Sequence, residues 1–186
     1  GLLVRGSRPR LAHNTIARNA GPNGLYVGSY AEYTSTVVLT DTILVSHTVG
    51  LVAEGGSSAH LEATLWGNGT DWAGAGAIYT GTVNVWGEPA FVDPEAGDYH
   101  IGPGSAAADT GVSAGVMTDI DGDGRPMGAG YDIGADEMRP RPGWFVYLPL
   151  IRREETGSFK TRFIEKSFDR MCAVGYTHLC LEMKGS

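Results

Sequence analysis

Cysteine is missing from the first 171 residues; the chain's 2 cysteines, Cys172 and Cys180, both lie in the C-terminal tail. No disulfide therefore holds the body together, and its stability has to come from packing. Lysine is absent before Lys160. Residues 1–138 hold 16 acidic and 5 basic side chains, a net charge of −11, whereas residues 139–186 hold 5 acidic and 9 basic, +4. An acidic body argues against nucleic acid or an anionic membrane as partner, since both require a positive footprint. No run approaches the roughly 18 apolar residues of a spanning helix, so no membrane span is expected. The chain begins at Gly1 inside a repeat and shows no signal peptide. It reads as a fragment of a longer protein, in which any targeting segment would lie upstream.

Glycine is plentiful, 28 of 186 residues, yet 42% of the chain is hydrophobic, which excludes a disordered low-complexity segment. Thr, Val, Gly and Tyr dominate the body. These are strand and turn residues, and they exclude the Leu, Lys and Glu-rich repeats of helical solenoids.

The body is organised around GLYVGS at Gly24–Ser29, which recurs in altered form as GLLV at Gly1, GLVA at Gly50 and GAIY at Gly76, spaced 23, 26 and 26 residues apart. A second series runs out of phase: Asn14-Thr15-Ile16, Asp41-Thr42-Ile43 and Ala63-Thr64-Leu65. A third places Asn19, Ser46 and Asn68 at the same two intervals, 27 and 22. Interleaved series of one period in the twenties, built from short β-rich runs, predict a parallel β-solenoid whose coils cannot bury their own apolar faces alone. Leu2, Leu25, Leu51 and Ala77 should form one interior column, and Val4, Val27, Ala53 and Tyr79 another. Ile16 should lie over Ile43 and Leu65. Asn19, Ser46 and Asn68 should form a polar ladder at a turn. The long run Thr36–Val45 should be two strands bent at Thr40-Asp41. Alternation would set Val38, Thr40, Thr42 and Leu44 on one side and Val37, Leu39, Ile43 and Val45 on the other. Phe91 to Glu137 is expected to close an exposed end of the stack.

That closing stretch carries a resemblance. FVDPEAGDYHIGPGSAAADTG (Phe91–Gly111), TDIDGDGRP (Thr118–Pro126) and GYDIGADE (Gly130–Glu137) resemble the signature that closes many bacterial right-handed parallel β-helix proteins, the pectate-lyase-like repeat proteins of the "choice-of-anchor Q" type. The resemblance covers roughly residues 1–137. It implies an all-β fold, a right-handed parallel β-helix represented by its last turns and a C-terminal cap. It also implies an extracellular or cell-surface address. A reaction it implies only weakly.

Candidate chemistry is sparse. Asp119, Asp121 and Asp123, with Gly124 following, match the first half of a calcium loop. The twelfth position of such a loop is Gly130, which removes the bidentate carboxylate. The turn is expected to serve the cap without an ion, Arg125 pairing with one Asp; calcium is the ion it would take. A lyase would need an Arg base beside acidic groups, and only Arg5, Arg8, Arg10 and Arg18 are available on the turns. A hydrolase would need two facing carboxylates, for which Asp41, Glu54 and Glu62 are the candidates. His13, His47 and His60 show no zinc-binding spacing. Trp66, Trp72 and Trp86 are expected to fill the core where the stack is capped; the alternative is that, exposed in a row, they stack on sugar rings.

The domain reading is residues 1–90 as coils, 91–137 as cap, 138–153 as a Pro/Arg linker with an apolar strand, and 154–186 as a helix–strand tail. In the tail, the spacing of Ile164, Phe168, Met171 and Cys172 predicts a helix over Phe159–Ala173, and Thr177–Met183 reads as a strand. The leading functional expectation is a non-catalytic segment of a secreted or surface repeat protein, a scaffold or adhesin that binds glycan. The alternative is part of a polysaccharide lyase or glycoside hydrolase whose active turns lie mostly upstream. Self-association through the N-terminal strand edge is also expected.

Overall fold

A computed structural model describes residues 1–139, together with the strands Phe145–Arg153 and Phe159–Ser167. The chain divides into two units, Gly1–Arg139 and Pro140–Ser186.

The first unit is a parallel β-solenoid of about four coils. One sheet stacks β1 (Leu2–Arg5), β3 (Asn23–Gly28), β5 (Val49–Ala53) and β7 (Thr70–Ala73). A second series stacks β2 (Arg10–Ala17), β4 (Thr36–Val45) and β6 (Ser58–Gly67). On β6, the first half pairs with β8 (Ala77–Tyr79) and the second half with β9 (Asn84–Trp86).

The long strands are bent at one level. His13, Asp41 and Ala63 lie in register and have φ of 51°, 51° and 54°. A left-handed residue costs a non-glycine about 1 kcal/mol, and here it turns each strand from one face of the coil to the next. The bend foreseen at Asp41 is therefore present in every long strand. It has a consequence that simple alternation missed. The left-handed residue breaks the period of two, so Leu44 joins Val37 and Leu39 in the interior cluster, with Trp66 above. Ile43 and Val45 turn to the opposite face.

The columns hold in part. Leu25, Val27, Leu51 and Ala53 are wholly buried, and the register runs Leu2, Leu25, Leu51 and then Trp72, where Ala77 was expected. The last coil is shorter than the spacing of the glycines suggested, so Ala77–Tyr79 belongs to the other series, beside Ser58–His60. Thr15, rather than Ile16, underlies Ile43 and Leu65; Ile16 underlies Leu44 and Trp66. The polar ladder runs through His47 instead of Ser46. The Asn19 amide group contacts His47 Nε2 at 3.0 Å, and Asn68 Oδ1 accepts from the His47 backbone N–H at 3.2 Å. Asn68 Nδ2 closes it by donating to the Leu44 carbonyl at 2.7 Å. Ser46 stands at φ 64°, a corner position, which moves the rung one residue on.

Residues 91–139 begin with a hairpin of β10 (Phe91–Asp93) and β11 (Asp98–Ile101) and continue without regular strands. They do not sit on an end of the stack. They lie along its flank, where Ile101, Ala107 and Ile133 pack on Ile43, Val45, Ala63 and Leu65. The backbone amides of Gly134 and Ala135 bond to Asp41 O (3.0 Å) and Thr15 Oγ1 (3.1 Å), so successive coils are tied to one strap. The second half of β4 is buried on both faces for this reason. Gly134, at φ +111°, is required here: a Cβ would fall 2.6 Å from Ile43 Cδ1.

In the second unit, β12 (Phe145–Arg153) and β13 (Phe159–Ser167) form an antiparallel pair in full register. The helix expected from Phe159 is thus a strand through Ser167. Phe159, Thr161 and Phe163 also alternate with Lys160 and Arg162, and pairing with a neighbouring apolar strand favours that period over the helical one. The expected strand Thr177–Met183, and both cysteines, lie outside the described residues.

Candidate functional site

The strap concentrates buried charge. Arg125 and Glu137 form an ion pair at 2.8 Å with side chains 1% and 0% exposed. The guanidinium also donates to the carbonyls of Gly134 (3.0 Å) and Ala135 (2.7 Å). Asp132 accepts from the amides of Asp109 and Met138, each at 2.6 Å. Burial pushes the Asp132 carboxyl up to about 6. At the junction with the coils, His13 Nε2 lies 3.4 Å from Asp41 Oδ2, while Asp41 Oδ1 accepts from the Val112 amide at 2.7 Å. Burial raises Asp41 to about 6 and lowers His13 to about 4. The proximity would suggest an ion pair, but the two shifts keep both groups from being charged together. At neutral pH Asp41 is a carboxylate beside a neutral imidazole.

The three carboxylates of the DIDGDG turn have separate partners. Asp119 is spent on backbone: Oδ1 accepts from the amides of Asp121 (2.9 Å) and Asp123 (2.8 Å), and Oδ2 from Glu137 N (3.1 Å). Asp123 pairs with Arg139 at 2.5 Å. Asp121 faces His100, with 3.2 Å between Oδ2 and Nε2. Arg125, expected to pair with one of these Asp residues, is instead held by Glu137. The fold thus brings Asp121, alone of the three, to other side chains able to hold a metal, His100 and Asp136.

His100 was missed in the sequence, although a signal was available. Asp98-x-His100 on a strand places both side chains on one face, and Asp98 Oδ1 lies 2.5 Å from His100 Nδ1. That contact holds Asp98 below the usual carboxylate range and raises His100. His100 and Asp136 border a cleft of about 440 Å³ that Thr15, Tyr99, Ile120 and Ala135 also line.

The tryptophans divide by burial. Trp66 is fully buried and donates its indole N–H to Asn84 Oδ1 at 3.1 Å. Trp72 packs edge-on against it at 5.2 Å between ring centroids. Trp72 and Trp86, on the final coil, are 41% and 60% exposed. Trp86 is oriented by its N–H to Asp71 Oδ2, 2.9 Å. Nearby on the same series, Tyr79 stacks on His60 at 4.6 Å.

The residues proposed for polysaccharide chemistry serve the coils. Glu54 accepts from the Tyr26 hydroxyl and from Ser29 N (2.9 Å), linking two coils. Glu62 accepts from Thr82 N (3.0 Å) and Val83 N (2.8 Å). Arg5 donates to Ser29 O at 2.9 Å and Arg18 pairs with Glu95 at 2.5 Å. Arg8 and Arg10 are exposed. Compared with known protein families, with curated proteins and with solved structures, the chain matches none.

Proposed function

We propose that the chain is a non-catalytic, glycan-binding segment of a secreted or surface β-helix repeat protein, of the pectate-lyase-like, choice-of-anchor type that its closing motifs resemble. The observation that carries this reading is the pair of exposed indoles on the final coil. Trp72 rests on buried Trp66, and Trp86 is pinned by Asp71, so both partly exposed rings are held in fixed positions. Rigid aromatic faces beside carboxylate and amide acceptors suit a pyranose, which offers apolar C–H faces and a rim of hydroxyls. Asp71 and Asn68 supply those polar groups, already fixed by mutual bonds at 3.3–3.4 Å.

The scaffold part of the reading is supported by where the carboxylates are spent. Asp41, Glu54 and Glu62 each accept hydrogen bonds that join coil to coil or coil to strap. The test is affinity electrophoresis of the whole chain through neutral and uronate polysaccharides, with the Trp72→Ala/Trp86→Ala double variant alongside. Retardation by at least one polymer, weakened roughly tenfold in the double variant (about 1.4 kcal/mol), is the expected result. Equal retardation of both proteins, or none with any polymer, would overturn the glycan surface. Shortened or unsaturated products would show an enzyme instead.

A further inference from the structure

We infer that His100, Asp121 and Asp136 form a binding site for a first-row divalent cation of the zinc class. The inference stands apart from the glycan reading, since it concerns the strap and not the final coil. One ligand atom from each residue lies within 4.8 Å of the other two. They come from three separate places, β11, the DIDGDG turn and the GADE segment, and folding brings them together.

Three further observations favour a metal over chance proximity. First, His100 Nε2 is shielded from solvent and has no hydrogen-bond partner. It lies 3.2 Å from Asp121 Oδ2, yet the alignment does not make a hydrogen bond. Two ligands of one tetrahedral zinc, each at about 2.0–2.1 Å, are separated by roughly 3.4 Å, close to that spacing. Second, the far side of the imidazole is already held. Asp98 Oδ1 at 2.5 Å from Nδ1 fixes the ring and leaves Nε2 as the coordinating nitrogen, the carboxylate–histidine–metal arrangement that orients a ligand. Third, Asp136 is 8% exposed and uses Oδ2 to accept from Ile101 N at 2.7 Å. Its other oxygen has no hydrogen bond among the described residues. An ionised carboxylate in that position gains from a cation beside it.

The donor set selects the metal. One imidazole nitrogen and two carboxylate oxygens suit zinc or manganese, whereas calcium takes six to eight oxygens. Three protein ligands leave coordination positions open, and the 440 Å³ cleft borders His100 and Asp136, so water or a small anion has room to complete the shell.

The experiment is titration of the chelator-stripped full-length chain with Zn²⁺, Mn²⁺ and Ca²⁺ by calorimetry, with Co²⁺ absorption reporting the ligand type. His100→Ala and Asp121→Asn are the principal variants, because both side chains are partly exposed, 40% and 49%, and circular dichroism checks their fold. Cys172→Ser/Cys180→Ser controls for thiols in the tail. The expected result is one Zn²⁺ per chain, tighter than Ca²⁺, with affinity at least tenfold weaker in each principal variant and unchanged in the cysteine variant. Asp98→Asn should weaken binding by about 10–100-fold. The inference fails if no Zn²⁺ binds, if His100→Ala binds as the wild type does, or if loss of the cysteines abolishes binding.

Discussion

Asp41 shows how one residue can join two parts of a chain. Its backbone turns β4 through a left-handed corner, its carbonyl accepts from Gly134, and its carboxylate accepts from Val112. Its raised pKa has a defined sign. A carboxyl whose folded value lies above its unfolded value of 3.8 contributes stability that is complete below pH 3.8 and lost as the pH rises through about 6. Asp132 behaves alike, also with a folded value of about 6. His13, lowered to about 4, acts oppositely: its contribution is complete above pH 6.5 and lost as the pH falls through 4. Asp41→Asn keeps an Oδ1 acceptor for Val112 but cannot ionise. Relative to wild type it should gain stability between pH 4.5 and pH 7, by on the order of 2 kcal/mol, in urea unfolding followed at both values. A difference between the two proteins that does not change with pH would contradict this. The Arg125–Glu137 pair is a simpler case. Glu137→Gln leaves a buried guanidinium without its counter-charge and should cost about 3 kcal/mol, read from the same unfolding curves.

Elements differ in how their faces are used. β1, β3 and β5 bury Val4, Leu25 and Val27, and Leu51 and Ala53 on one face and β7 has no fully buried residue, while the second halves of β4 and β6 are buried on both faces. Trp66, at the end of β6, fills the interior without exposure, so Trp66→Ala should destabilise by about 3–5 kcal/mol. Trp86→Ala, at 60% exposure, should change the thermal midpoint little. Comparable midpoints for the two variants would refute the division between core and surface tryptophans. The strap depends on close approach. Gly134→Ala places a methyl against Ile43 and forces an L-residue to φ +111°. A cost of roughly 2 kcal/mol is expected. It should appear first as faster hydrogen exchange at Val112 and Ile133, whose amides bond to Asp41 and Ala107, with the β3 and β5 amides slower to respond.

For the whole molecule, the strap changes what the stack leaves open. It covers a flank, so the strand edges at the ends are not its business. Among the described residues β1 pairs only with β3, and Leu3 is 60% exposed. The 186-residue chain should therefore associate as its concentration rises, by edge-to-edge pairing. Leu3→Lys should reduce that in sedimentation velocity, while a monomer at all concentrations would contradict it. The unit also carries its acidic charge unevenly, with Asp98, Asp119, Asp121, Asp123 and Asp136 all in the strap, which suits cation binding there better than contact with a polyanion.

The sequence by itself determined the repeat: short apolar runs at nearly constant intervals can bury their faces only by stacking on copies of themselves. It also marked the bend, because an Asp inside an apolar strand cannot continue the alternation. Register proved finer than the repeats could specify, since one residue more in a coil moves Ile16 off Ile43, and a last coil five residues shorter puts Trp72, in place of Ala77, over Leu51. Tertiary structure alone decided that residues 91–139 lie on a flank, because the outward turn of Ile43 and Val45 follows from a backbone dihedral at Asp41. It also chose the partners of the carboxylates that meet distant segments. Asp41 meets an amide 71 residues away, and Asp121 meets His100 and not its neighbours in the loop. Such pairings depend on which chain segments pack together, and local spacing carries no record of that.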